Sequence, residues 1–322
     1  MHSHTQRFPH ERVLLPRTKL AYVHLHNLLT DAKRDRSARV FGYVAIWLPE
    51  ELVLLYLQSG ELVNATWAHS DVVRAIPLAD ALARVPAEPE LGEICFHEAE
   101  DEQLACMWAA QVSEPEPWPG ELDAFDEGAL FPFLMATTWD GMLEIAMDGG
   151  VSYAIVRDGE VERAYLADPV PGAPGEAIAG LLHAAAGRAV VRRWPIPEPI
   201  PQQAPTALVR AYRQLARRLV EALVASGRES APDIAEHARR TLLDTHPVLE
   251  HFTVGERELA DPVADVATVT KAVAAWVAEV LWALADHDTV RPETLLADLT
   301  RDRRHVFQSA GFFDDLPFKV QW

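Results

Sequence analysis

Residues 41–68 read FGYVAIWLPEELVLLYLQSGELVNATWA, and residues 140–167 read DGMLEIAMDGGVSYAIVRDGEVERAYLA. The two stretches align without a gap, each residue of the first lying 99 positions before its counterpart. The identical pairs include Gly42 and Gly141, Ile46 and Ile145, Gly60 and Gly159, Glu61 and Glu160, and Ala65 and Ala164. Self-similarity at a fixed spacing indicates a repeated structural unit. The sequence therefore predicts two tandem copies of one small module.

The first copy is predicted to contain the series α-β-β-β-α-β. Apolar residues at helical spacing predict a helix over 20–31, and aliphatic runs predict strands over 41–47 and 53–57. The dipeptide Ser59-Gly60 predicts a tight turn into a returning strand. The remaining predictions are a strand over 62–67, a helix over 70–85, a strand over 91–97 and a candidate strand over 104–110.

The second copy predicts the same series of elements. Its Asp158-Gly159 dipeptide is a strong signal for a two-residue hairpin turn. Around this turn the sequence predicts a helix over 122–136, strands over 141–146, 151–156 and 160–166, a helix over 175–186 and a strand over 188–194. The predicted class is α+β, two tandem units followed by a C-terminal helical bundle.

Composition divides the chain into six parts. Proline-rich segments at 113–120 and 195–205 favour extended connections, so we place a joint and a linker there. Helical periodicity and helix-start signals at Pro232, at Asp261-Pro262 and at Pro292 predict four helices after residue 206. The predicted parts are a loose N-terminus (1–14), the first copy (15–112), the joint, the second copy (121–194), the linker, and a helical domain with an aromatic tail that docks on its body (206–322).

The duplicated unit resembles the PATAN-type domain, a module of bacterial signalling and motility proteins. The resemblance rests on a family pattern of a helix ending in a Leu-Leu pair, a glycine opening a strand, a turn glycine and a strand ending in an alanine followed by another residue. In this chain those features are Leu28-Leu29 and Phe133-Leu134, Gly42 and Gly141, Gly60 and Gly159, and Ala65 and Ala164. The resemblance implies a protein-interaction module in regulation and carries over no catalytic residue. The segment 32–39 lengthens the first copy relative to the family pattern.

Charge and cysteine content restrict the class of protein. The net charge is −19, and between Arg84 and Arg157 there are 16 acidic residues and no Lys or Arg. A nucleic-acid ligand is disfavoured because phosphate binding needs clustered basic side chains, whereas a basic protein partner fits the charge. Two cysteines make no disulfide framework. With no secretory signal and no apolar run of membrane-spanning length, the sequence predicts a cytoplasmic protein.

The sequence offers little that resembles a reaction centre. It lacks the glycine-rich phosphate loops and the serine-hydrolase elbow, so we predict no cofactor and no catalytic residue. Cys95, His97 and Cys106 are the weak candidates for a metal site, since Cys95 and His97 would point to one side of a strand. A buried cysteine beside a surface histidine is the more common explanation of that pattern.

Three functional hypotheses remain open at this point. The first is a non-enzymatic scaffold or adaptor of a signalling system, with Trp47, Trp67 and Trp118 as candidate interaction residues because aromatic side chains are enriched at interfaces. The second is a sensor that binds a small molecule between the two copies. The third is an unrecognised enzyme that uses acids such as Glu98, Asp140 or Glu144.

Overall fold

The computed structural model describes residues 6–34, 40–70, 72–85, 92–120, 126–147, 149–185, 188–255, 259–284, 291–320 and 322. The chain divides into two compact units, residues 1–200 and 201–322. The first unit contains β1 (Arg12–Lys19), α1 (Leu25–Arg34), β2 (Gly42–Trp47), β3 (Glu51–Gln58), β4 (Glu61–His69), β5 (Val72–Ala75), α2 (Leu78–Ala83), β6 (Glu93–Glu98), α3 (Asp101–Val112), α4 (Glu127–Thr137), β7 (Gly141–Met147), β8 (Gly150–Arg157), β9 (Glu160–Tyr165), α5 (Pro174–Ala185) and β10 (Val190–Trp194).

Two antiparallel sheets form the first unit. The six-stranded sheet has the order β1-β6-β2-β3-β4-β5, and the four-stranded sheet has the order β10-β7-β8-β9. Four strands of the first sheet, β6-β2-β3-β4, therefore follow the same order along the chain as the whole of the second. In both, the register shifts once beside the hairpin, between Tyr56 and Leu57 in one sheet and between Ile155 and Val156 in the other.

The hairpin turns of both sheets need their glycines. Ser59-Gly60 and Asp158-Gly159 each place two successive residues at positive φ, with Gly60 at 78° and Gly159 at 79°. Two positive φ values define the hairpin turn that matches the twist of the strands and favours glycine. A Cβ on Gly60 would collide with the carbonyl oxygen of Ala32 in α1. A Cβ on Gly159 would lie 2.7 Å from Cα of Met135 in α4.

The glycines that open β2 and β7 also make matching contacts. A Cβ on Gly42 would collide with the carbonyl oxygen of His97 in β6, and a Cβ on Gly141 would collide with that of Trp194 in β10. These glycines allow close approach of neighbouring backbones, as expected of glycine inside a strand. Ala65 is fully buried on the face of the first sheet that packs against α1 and α2.

Alternation along the strands separates an inner from an outer core. In β2 and β3, Tyr43, Trp47, Leu54 and Tyr56 belong to a cluster shared with Tyr153 and other residues of the second sheet, whereas the intervening side chains face α1 and α2. The second sheet buries its other face against α4 and α5. Period-two alternation with both faces apolar is typical of strands covered on both sides.

Helix α3 lies in the inner core and contacts strands of both sheets. Its residues Gln103 to Trp108 are all buried, so apolar side chains surround the helix. A helix that is apolar on every side is one that is buried on every side. The candidate strand over 104–110 is therefore wrong. Short apolar runs do not distinguish a buried strand from a buried helix.

Other predicted boundaries in the first unit also change. The helix predicted over 70–85 is replaced by β5 and the short α2, because Ser70 adopts a positive φ of 53° and Pro77 prevents a helix from continuing through it. The helix predicted over 20–31 becomes a 3-10 turn at Leu20–Tyr22 followed by α1. The start of the helix predicted over 122–136, at 122–125, lies outside the described residues, and α4 begins at Glu127.

The segment predicted as a loose N-terminus is built into the sheet where it is described, from residue 6. Phe8 is buried in the inner core, and β1 begins at Arg12 and pairs with β6. Strand β1 was missed because it is an irregular edge strand: its register shifts between Leu15 and Thr18, around Pro16, and it carries three basic residues. Proline and basic residues are typical of edge strands.

The second unit is helical. Its helices are α6 (Thr206–Ala225), α7 (Ala231–Leu242), α8 (Val266–Leu284), α9 (Pro292–Thr300) and α10 (Arg304–Ser309). The predicted start at Asp261-Pro262 is wrong: α8 begins at Val266, where Asp265 accepts a hydrogen bond from the Thr268 amide at 2.8 Å. In the aromatic tail, Phe312 is buried beside Tyr212 and Phe307, whereas the Trp322 residue is about half exposed.

One helix in the described residues is long and apolar enough to span a bilayer. It is the window Val266–Ala283 of α8, and 56% of it is buried within the structure. The core helix of a bundle passes the same test of length and composition. The buried residues Val269, Val273, Trp276 and Val280 of this helix pack in the core of the second unit.

Candidate functional site

A cleft of about 730 Å³ opens in the first unit between the two sheets. We call it the Tyr43 cleft. One wall comes from β1, β2 and β6, and the other comes from residues 167–169, which follow β9. Its lining includes Phe8, His10, Arg17, Tyr43, Trp47, Cys95 and His97. Its volume lies within the range of small-molecule binding sites.

The N-terminal segment 6–11 forms one rim of the Tyr43 cleft and joins the two sheets. Arg7 pairs with the start of β8: its amide donates to the Gly149 carbonyl at 3.0 Å, and its carbonyl accepts from the Val151 amide at 3.0 Å. The Arg7 guanidinium binds Asp168 at 2.6 Å. At the other end of the segment, the Glu11 amide donates to the Glu98 carbonyl in β6 at 2.9 Å.

Tyr43 and His97 form a hydrogen-bonded pair in the cleft. They lie directly opposite each other on β2 and β6, and the Tyr43 hydroxyl is 2.9 Å from Nδ1 of His97. The same hydroxyl lies 3.0 Å from the Pro9 carbonyl and 3.3 Å from the Phe8 carbonyl. Carbonyl oxygens only accept, so the Tyr43 proton is assigned to the Pro9 carbonyl. His97 then donates from Nδ1, and its Nε2 is left as an acceptor.

His97 is held neutral by its surroundings. Burial, and to a smaller extent the neighbouring His10, lower the pKa of His97 to about 4. The two imidazole rings lie 4.3 Å apart between centroids. Near neutral pH the cleft therefore presents a neutral imidazole, which matches the hydrogen-bond assignment above.

We expect His97 to make the protein less stable as the pH falls from about 6.5 to about 4. Between these pH values the His97 ring is protonated in the unfolded chain but stays neutral in the folded protein. Protonation therefore stabilises the unfolded state, and the free energy of unfolding decreases as the pH falls from 6.5 towards about 4. The loss should reach about 1 to 2 kcal/mol, after allowance for the solvent that reaches the ring. Urea unfolding of His97→Gln across this range should show a flatter pH profile than the wild type. A parallel profile would contradict the assignment.

The charged side chains that line the cleft are already paired. The Arg17 side chain donates from Nε to Glu93 at 2.6 Å and lies 4.1 Å from the centre of the Trp47 ring. Arg7 is paired with Asp168, as described above. The described lining thus carries two cationic and two anionic side chains, and most of the remaining surface is aromatic or aliphatic.

The structure does not gather the three metal-site candidates. Cys95 and His97 both line the Tyr43 cleft, but Cys106 lies on α3 in the inner core. Burial raises the pKa of the Cys95 thiol to about 12 and also raises that of Cys106, so both thiols stay protonated. No group of three His, Cys, Asp or Glu side chains among the described residues is placed to hold a metal ion.

The three candidate interaction tryptophans are held within the fold. Trp47 is 6% exposed beneath Arg17. The Trp67 ring stacks on His69 and has the Arg84 guanidinium 4.5 Å from its centre. Trp118 donates from Nε1 to the Val191 carbonyl at 3.0 Å, which holds the joint 113–120 along β10. Trp47 is therefore too buried to form an exposed surface, whereas Trp67 and Trp118 are half-buried, and their role in an interaction stays a prediction.

The acids considered for an enzyme are also separate. Glu144 is 5% exposed and binds Arg192 at 2.8 Å across β7 and β10. Asp140 accepts from the Asp158 amide at 2.7 Å and supports the hairpin turn. Glu98 is paired with Arg12 at 2.7 Å. Each acid therefore stabilises its own strand or turn.

A second cavity of about 460 Å³ lies on the other side of His10. There the Tyr165 hydroxyl donates to Glu100 and Glu102, at 3.1 Å and 3.0 Å, and Arg163 pairs with the same two carboxylates. Burial, followed by Glu100 and Glu98, raises the pKa of Glu11 in this cavity. The network ties the start of α3 to β9, and Ala164 is among the lining residues.

Sequence reasoning missed Tyr43 and the tautomer of His97. The 99-position alignment places Tyr43 opposite Met142, but it places His97 opposite Ile196. Met142 and Trp194 face each other on β7 and β10 as Tyr43 and His97 do on β2 and β6. A polar pair therefore stands in the first sheet where an apolar pair stands in the second. The match of His97 with Trp194 emerges only from the strand pairing, so the sequence alone does not single out the polar pair.

Comparison with known proteins adds no relative to this description. No protein-family model, no curated protein and no solved structure matches the chain.

Proposed function

We propose that the protein is a cytoplasmic regulatory protein that binds a small molecule in the Tyr43 cleft, between two copies of a PATAN-like unit. The observation that carries this proposal is the cleft itself, with its apolar walls and its Tyr43–His97 pair. Apolar sites with a few fixed polar groups are the usual form of small-molecule sites. Binding, and not catalysis, is proposed because the His97 imidazole in the cleft is neutral and its proton is fixed by Tyr43.

The tandem-copy part of the proposal rests on matched details of the two sheets. The shared strand order, the register shift at the same place and the equivalent glycine contacts all support it. Each detail concerns backbone geometry, which a duplicated unit keeps while its side chains diverge. Divergence at the Tyr43 and His97 positions then gives one copy a polar site that the other lacks.

A second function, as an adaptor, is favoured by the charge of the chain. A net charge of −19 would steer a basic protein partner towards it. Binding that depends on charge should weaken as salt rises, because screening shortens the reach of surface charges. Pull-down of a specific basic protein from the native cytoplasm, lost at high salt, would support this function, and recovery of none would count against it.

We expect His97→Trp to abolish ligand binding in the cleft. In the second sheet, Trp194 occupies the corresponding position and is 2% exposed. We therefore expect the first sheet to accommodate a tryptophan at position 97. A nucleotide and metabolite screen by thermal shift should find a compound that stabilises the wild type. At a hundredfold excess over its Kd that compound would contribute about 2.7 kcal/mol.

The matched control is Val190→Trp, which adds the same side chain at an exposed position of β10 outside the cleft lining. It should keep the full thermal shift. Equal shifts in the wild type and His97→Trp would show that the compound binds elsewhere. A screen in which no compound stabilises the wild type would reject the proposed function.

A further inference from the structure

We infer that the ligand of the Tyr43 cleft is a planar, uncharged aromatic molecule that donates a hydrogen bond, from N–H or O–H, to Nε2 of His97. This inference rests on the proposed function and specifies the chemical class that the site selects. It follows from three features of the cleft: its acceptor, its balanced charges and its aromatic walls.

The acceptor is set by hydrogen bonds made within the protein. Tyr43 is held by the backbone carbonyls of Phe8 and Pro9, and it in turn fixes the proton of His97 on Nδ1. Within the described residues, the hydrogen bond of the His97 ring is the one that Nδ1 makes with Tyr43. A ligand that covers Nε2 without donating to it leaves a buried acceptor unsatisfied, which penalises binding.

The balance of charge disfavours an ionic ligand. Arg17 is paired with Glu93 and Arg7 with Asp168, so each cation on the rim has its own carboxylate. An anionic ligand would have to break one of these pairs or enter without a counter-charge, and burying an uncompensated charge is costly. A neutral ligand meets neither cost.

The walls favour a flat aromatic body. Phe8, Tyr43 and Trp47 contribute rings to the lining, and Val13, Pro16 and Pro169 contribute aliphatic surface. Aromatic rings pair favourably in edge-to-face or offset geometry. The corresponding Met142–Trp194 pair of the second sheet is buried and apolar, so the inference applies to the first sheet alone.

The experiment compares three probes of similar size on the full chain by isothermal titration: indole, benzofuran and indole-3-carboxylate. Indole donates one hydrogen bond, benzofuran donates none, and the carboxylate adds a negative charge. Indole should bind about tenfold more tightly than benzofuran, and the carboxylate should bind more weakly than indole.

Two variants assign the preference to the proposed acceptor. His97→Phe keeps an aromatic ring and removes the acceptor, so indole and benzofuran should bind it with equal affinity. Retained benzofuran binding shows that the cleft of this variant is intact. Tyr43→Phe removes the hydroxyl that holds the His97 proton on Nδ1, so the proton can also occupy Nε2. The preference for indole over benzofuran should then fall by a factor of a few.

Each contrary result has its own meaning. Equal affinity of the wild type for indole and benzofuran overturns the donor requirement, and tighter binding of the carboxylate overturns the requirement for an uncharged ligand. In both cases the cleft still binds a small molecule, so the proposed function stands. If no probe binds the wild type, the inference is wrong. The proposed function is tested separately, by the metabolite screen that compares the wild type with His97→Trp.

Discussion

Replacing Gly159 by alanine is expected to destabilise the first unit by about 3 to 4 kcal/mol. Two costs combine. The residue sits at φ 79°, where a Cβ is disfavoured, and that Cβ would lie against the backbone of α4, 2.7 Å from Cα of Met135. Backbone atoms cannot rotate away as a side chain can, so the helix or the hairpin must shift. Urea denaturation followed by far-UV circular dichroism measures the loss.

Gly120→Ala separates the two costs. Gly120 also has a positive φ, 43°, but a Cβ there meets no atom of the described residues within 4 Å. Its substitution should therefore cost only about 1 kcal/mol, the contribution of backbone conformation. Gly60→Ala should resemble Gly159→Ala, since its Cβ collides with Ala32 in the same way. If Gly159→Ala and Gly120→Ala lowered the free energy of unfolding equally, the close approach of α4 to Gly159 would make no contribution to stability.

These glycines illustrate what the sequence predicts well. A two-residue turn is decided by local backbone chemistry, so Asp158-Gly159 specifies a hairpin whatever surrounds it. The apolar alternation of β2 and β3 likewise predicts strands because each face has its own core. Periodicity also predicts the long helix α6, whose residues Leu208, Tyr212, Leu215, Leu219 and Leu223 are all buried as expected.

The misassigned elements depend on distant parts of the chain. Residues 104–110 form a helix that is covered by both sheets. The sequence of the segment itself contains no information about this covering. Strand β1 exists because the edge of β6 is available to pair with it. Local patterns carry little information about such partners, which explains why propensity failed at both places.

The candidate site is predictable only in part for the same reason. Cys95 and His97 are conspicuous in the sequence, and both do line the Tyr43 cleft. The metal hypothesis arose from residue type, whereas the chemistry of His97 is set by Tyr43, which lies on another strand 54 positions earlier in the chain. Only the pairing of β2 with β6 brings the two together.

Leu104→Ala is expected to destabilise both sheets of the first unit at once, by about 2 to 5 kcal/mol. Leu104 is fully buried on α3, in the inner core that contains residues of both sheets. The substitution removes packed methyl groups and leaves a cavity in that shared core. Native-state hydrogen exchange should show faster exchange in β2 and β3 and, to a similar degree, in β7 and β8.

Leu130→Ala is the matched control. Leu130 is also a fully buried helical leucine, but it lies on α4 among residues of the second sheet and its outer helices. Its loss should be similar in size, and faster exchange should be concentrated in β7 and β8. If Leu104→Ala instead changed the exchange of one sheet alone, α3 would serve that sheet only. The two sheets would then lack the common core that positions the walls of the Tyr43 cleft.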